Sequence, residues 1–75
     1  MNEDILGILT EIRPDVDFEN ESALIDDGIL ESLDIVAIVG ELNDEFDIDI
    51  SVDDLTPENF NSLEAIIELV EDLQS

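Results

Sequence analysis

The sequence predicts an all-α fold, a bundle of three longer helices and one short one with a long loop after the first. Three observations carry this. Apolar residues recur at three- and four-residue intervals in three separate stretches, the period of one helix face. Start and stop signals fall where those stretches begin and end. Asp47-Ile48-Asp49-Ile50-Ser51-Val52 alternates for a few residues as a strand would, but with no second strand expected to pair with it, it reads as an extended loop. With 75 residues, a single domain spanning 1–75 is expected.

The first helix is expected near residues 3–13, where Ile5, Ile8, Leu9 and Ile12 share a face and Pro14 ends the run. Residues 14–31 then form an unusually long connection, and loops of that length in small domains are commonly functional. Phe18, Leu24, Ile25 and Leu30 should pin it to the core. A second helix is expected from about Leu33 to Glu45, with Ile35, Ile38, Val39, Leu42 and Phe46 inward. Asp34, Ala37, Glu41, Asp44 and Glu45 fall on its outer side. Thr56-Pro57-Glu58 reads as a cap followed by proline at the first helical position, opening a short helix that ends near Asn61. Asn61 or Ser62 caps the last helix, whose stripe is Leu63, Ile66, Ile67, Val70 and Leu73.

Composition excludes more than it suggests. Twenty-three acids face one basic residue, Arg13, for a formal charge of -22. Such repulsion opposes compaction, but 44% of residues are hydrophobic and they are patterned, which argues for a folded domain over an acidic tail. Nucleic acid is not expected as a partner, because phosphate backbones are held by Lys and Arg. Partners with basic patches are. The start of the chain has neither the charge nor the apolar core of a signal peptide. No apolar run approaches the roughly 20 residues that span a bilayer. A cytoplasmic monomer, not inserted in a membrane, is therefore expected.

No histidine, cysteine or lysine is present, so a nucleophilic serine would lack its usual activating base. An enzyme is not expected. Asp15, Asp17, Glu19, Glu21 and Asp26 echo the spacing of a calcium-binding loop, but the sixth position is Asn20, not glycine, and Phe18 interrupts the ligands. No specific metal site is expected, although loose cation binding to the acids would relieve repulsion.

Ser32 stands where the long loop meets the second helix, in Gly28-Ile29-Leu30-Glu31-Ser32-Leu33-Asp34. A serine there can cap the helix. It can also offer its hydroxyl as an attachment point for a phosphate-linked group, since a helix N-terminus favours an anion. The string Leu24-Ile25-Asp26-Asp27-Gly28-Ile29-Leu30-Glu31-Ser32-Leu33-Asp34-Ile35-Val36 resembles the signature of acyl and peptidyl carrier proteins, and the resemblance runs from about Ile5 to Leu73.

The resemblance implies that Ser32 carries covalent 4′-phosphopantetheine, taken from coenzyme A by a phosphopantetheinyl transferase. The chain would then be a discrete acyl carrier, holding acyl groups as thioesters for partner enzymes of fatty-acid or polyketide-like synthesis. Partner docking is expected over Glu31, Leu33, Asp34, Ala37, Glu41, Asp44 and Glu45. Leu33 is either an exposed anchor or packed under the loop. Val36, Ile50, Leu55 and Ala65 would line a space that shelters the acyl chain. The chain departs from the family at Glu31, where aspartate is common. It departs again at Ala37 and Gly40, where fatty-acid carriers have glutamate and methionine. The segment 55–62 looks more like carriers loaded by adenylating ligases, including D-alanyl and stand-alone peptidyl carriers. An aminoacyl carrier is thus an alternative, and a structural acidic, cation-binding adaptor is another.

Charge predicts a salt response. The thermal midpoint should rise from dilute buffer to about 0.15 M salt or millimolar magnesium, as screening weakens self-repulsion. A flat series of melting curves would show that repulsion does not limit stability.

Overall fold

A computed structural model describes residues 2–75. Its order is α1 (Asn2–Ile12), α2 (Ser32–Phe46), a single 3-10 turn (Val52–Asp54), α3 (Pro57–Phe60) and α4 (Leu63–Gln74). No strand occurs among the described residues. The bundle has the expected form, three longer helices, one short helix and a long loop after the first. α1 packs on α2 and α4, α2 packs on α4, and α3 lies against α4.

The apolar periodicity finds its partners in one core. Ile5 and Leu9 of α1, Ile38 and Leu42 of α2, Phe60 of α3, and Ile66 and Val70 of α4 are buried in it. Each such side chain contributes about 1.5–3 kcal/mol when removed from water. Ile35, Val39 and Phe46 flank the α2 stripe as half-buried residues. On α4, Leu69 is buried as well, because a helix covered by three others hides more than a narrow stripe.

Joints in the bundle rest on neutral amides. The Asn61 side-chain oxygen accepts hydrogen bonds from the Ile25 and Asp26 N–H groups at 2.9 and 3.1 Å, and its backbone carbonyl accepts from Leu24 at 2.9 Å. The loop between α1 and α2 is thereby fastened to the α3–α4 junction, while Phe18, Leu24 and Leu30 are buried beneath it. Asn43 does the same after α2: its side-chain oxygen accepts from the Ile50 N–H at 2.9 Å. Asp47 ends α2 in the left-handed region at φ 53, a conformation aspartate tolerates better than most residues.

The alternating segment is an extended loop with Ile50 buried and Ile48 half-buried. The 3-10 turn inside it was not anticipated. It forms because the Asp54 carboxylate accepts from the Ser51 N–H and hydroxyl, both at 3.1 Å. Ser62, not Asn61, caps α4, accepting from the Ala65 N–H at 3.1 Å.

Asn61→Ala would leave two loop N–H groups without their acceptor, a loss of about 1–3 kcal/mol. A domain of this size should then melt roughly 5–15 °C lower with its helical spectrum intact. An unchanged midpoint would show that water replaces the amide at no cost.

Candidate functional site

The approach to α2 is set by a tight turn. Gly28 lies at φ +71, where a side chain would be strained. It reverses the chain so that the Leu30 N–H returns to the Leu24 carbonyl at 2.9 Å, with Leu30 buried as the anchor. Glu31 then takes the cap position in extended conformation, at φ -99 and ψ 170. Ser32 is the first residue of the helix, so the cap assigned to it from sequence moves one residue upstream. The cause is Asp34. Its carboxylate reaches back to accept the Glu31 N–H at 3.0 Å, the return half of a capping box.

Relieved of that duty, Ser32 is exposed at the positive end of a 15-residue helix, and its hydroxyl makes no hydrogen bond with another described residue. Other hydroxyls at helix starts differ. Ser51 is bonded to Asp54, Ser62 caps α4, and Thr56 precedes a helix of only four residues.

Asp34 does not stand with the free outer charges. Its side chain is 17% exposed and accepts from Arg13 Nη1 at 2.6 Å. Arg13, placed just after α1, also donates from Nη1 to the Ile29 carbonyl at 3.1 Å. Its Nε and Nη2 grip Asp15 in a fork at 3.0 and 2.8 Å. The Glu31 N–H and then the guanidinium hold the Asp34 carboxyl below the usual carboxylate range. Asp15 is lowered chiefly by its bonds to Arg13, and Arg13 is itself raised by both carboxylates.

The remaining outer residues of α2 lie as read from the sequence. Glu31, Ala37, Glu41, Asp44 and Glu45 are exposed. Leu33 is 83% exposed, so it does not pack under the loop, and Val36 beside it is 66% exposed. Nothing comes within 4 Å of a side chain built at Gly40, which leaves that face flat and open. Of the four residues expected to shelter a cargo, Val36 and Leu55 are exposed, Ala65 is half-buried and Ile50 belongs to the core. Two concavities are lined by other residues. One of about 540 Å³ is bounded by Leu6, Phe18, Leu63 and Ile67 with a rim of acids. Another of about 460 Å³ lies beside Arg13 and Gly28.

The calcium-like spacing is dispersed by folding. Asp15 is taken by Arg13, Asp17 accepts from the Asn20 amide at 2.7 Å, and Phe18 is buried. No group of three or more acidic side chains that could hold a metal ion occurs among the described residues. Nor is any helix among them long and apolar enough to cross a membrane.

A family model described as a phosphopantetheine attachment site matches residues 3–70. The chain belongs to this family of carrier proteins. No curated protein matches it. Carriers of this family bind 4′-phosphopantetheine covalently, work with a phosphopantetheinyl transferase and partner enzymes, and are generally not catalytic themselves. The residues present fit such a group. An attached phosphate needs an accessible hydroxyl and a field that tolerates an anion, and the first turn of α2 provides both. Of the two acids beside Ser32, Glu31 is exposed and Asp34 is paired with Arg13, which it shares with Asp15.

Arg13 was missed as part of the site. The sign available in the sequence was that the one cation of the carrier stands directly after α1, but its reach across the loop to Asp34 is tertiary.

The ion pairs make a signed prediction. Asp15 and Asp34 have depressed folded-state pKa values, so the stability they gain from Arg13 is fully present above the ordinary carboxylate value near 4. It fades as pH falls through the lower folded values. In urea unfolding, the gap between wild type and Arg13→Gln should be constant from about pH 7 to 5 and close below about pH 4. A gap that persists undiminished at pH 2.5 would show that Arg13 acts through its bond to the Ile29 carbonyl and packing, not through the ion pairs.

Proposed function

We propose that the chain is an acyl carrier that takes 4′-phosphopantetheine on Ser32 and presents acyl thioesters to enzymes of fatty-acid or polyketide-like synthesis in the cytoplasm. The observation that carries this is the exposed, unbonded Ser32 hydroxyl at the start of α2 in a chain of the phosphopantetheine-attachment family.

The Ser32 oxygen would bond to the pantetheine-side phosphorus of coenzyme A, whose pyrophosphate P–O bond breaks to release adenosine 3′,5′-bisphosphate. With no histidine, cysteine or lysine, the chain offers only carboxylates to activate Ser32, and a solvated carboxylate is too weak a base for a hydroxyl. Proton removal therefore falls to the transferase. When bound, the prosthetic arm supplies a terminal thiol that holds cargo as a thioester and raises its local concentration at a docked active site.

Docking is assigned to the outer face of α2. Leu33 and Val36 offer an apolar foothold next to Ser32, and Ala37 and Gly40 leave room for a partner to approach. Glu31, Glu41, Asp44 and Glu45 attract basic surfaces and give fast, salt-sensitive association. Asp34, already paired, contributes shape more than free charge to this face. A second reading rests on the segment 55–62, which looks more like that of aminoacyl carriers loaded by an adenylating ligase, while Ala37 and Gly40 stand where fatty-acid carriers have an acid and a methionine.

Incubation with coenzyme A and a broad-specificity transferase should add about 340 Da to the intact mass, with no gain in Ser32→Ala. The holo form is then offered to acyl and aminoacyl ligases. Acylation supports the first reading, and aminoacylation alone supports the second. A folded wild-type chain that gains no mass would leave an acidic adaptor, with Ser32 a helix-start residue only.

A further inference from the structure

One nitrogen of Arg13 holds both ends of the segment that carries Ser32. Nη1 donates to the Ile29 carbonyl, three residues before the serine, and to the Asp34 carboxylate, two residues after it. The rest of the guanidinium is locked on Asp15, so it cannot swing away without breaking that fork. Asp34 passes the restraint inward by accepting the Glu31 N–H, adjacent to Ser32. No other side chain can take over, because Arg13 is the one basic residue of the molecule. Ser32 itself has no hydrogen bond holding its side chain, so its place in space depends on the backbone on either side.

We propose that Arg13 is a positioning residue for modification of Ser32: it orders residues 29–34 in the conformation a transferase must engage. This rests on Ser32 being the attachment residue. A transferase sees the carrier in proportion to the fraction in which that segment is correctly formed, and its apparent affinity falls as that fraction falls. Arg13 touches no reacting atom, so the effect belongs to KM and not to kcat.

Two variants separate positioning from simple charge. Arg13→Gln removes the ion pairs. Arg13→Lys keeps the charge, but a single ammonium cannot span Asp15, Ile29 and Asp34 together. For priming by a transferase from coenzyme A, KM for the carrier should rise about three- to tenfold in Arg13→Gln at unchanged kcat. Arg13→Lys should recover part of that loss. Amide exchange of Leu30 and Glu31, whose N–H groups bond to the Leu24 carbonyl and Asp34, should quicken in Arg13→Gln while the buried turns of α4 keep their protection.

Unchanged KM and unchanged exchange would overturn the proposal while leaving Ser32 as the attachment residue. So would complete recovery in Arg13→Lys, which would assign the effect to charge alone. Loss of protection throughout the bundle would show general destabilisation and overturn it too. Should Arg13→Gln not fold, Arg13→Lys against wild type decides, with slower priming through KM expected. If the folded wild-type chain is not primed at all, the Ser32 reading fails and the proposal falls with it. Exchange at Leu30 and Glu31 then shows separately whether Arg13 orders the segment.

Discussion

Self-repulsion is the constraint around which this molecule is built. A formal charge of -22 on 75 residues must be kept in water, and among the described residues no polar or charged side chain is buried. The interior is left to aliphatic side chains and two phenylalanines, and cohesion comes from burying them. What the charge forbids is the usual way of tying loops down, with lysines and arginines pinned to carboxylates. One cation is available, and it is placed where the end of α1, the end of the long loop and the first turn of α2 converge.

Elsewhere the joints between segments are made chiefly by side-chain amides. Asn61 fastens the long loop to the α3–α4 junction, Asn43 fastens the segment after α2, and the Asn59 amide donates to the Asp54 carbonyl at 2.8 Å. An amide satisfies backbone groups without adding to the field, so it serves in an acidic chain where a further carboxylate would raise repulsion. The charged and neutral joints divide the work by place. Amides hold the scaffold, and the guanidinium holds the segment around Ser32.

Much of the fold was legible in the sequence because burial follows period. The stripes of α1, α2 and α4, the anchoring role of Phe18, Leu24 and Leu30, and the proline-led start of α3 all express rules that act within a few residues. What escaped depended on contacts distant in sequence or on single-residue geometry. Whether Glu31 or Ser32 takes the cap turns on how Asp34 reaches back. Asp34 looked like one more outer acid because helical spacing reports the face of its own helix, not the guanidinium arriving from α1. The 3-10 turn at Val52–Asp54 arises from a local Ser51–Asp54 bond inside a segment whose alternation pointed to extension alone. The position of Ser32 was readable. Its release from capping was not.

The exposure of Leu33 and Val36 has a colloidal side. An apolar ledge left in water invites a second copy to cover it, and two copies meeting there would shed hydrophobic surface. Each, however, arrives wrapped in the same strong negative field, so like molecules are pushed apart before the ledges touch. An oppositely charged visitor meets no such barrier. The excess of carboxylates thus biases the company that patch can keep, favouring basic surfaces over acidic ones.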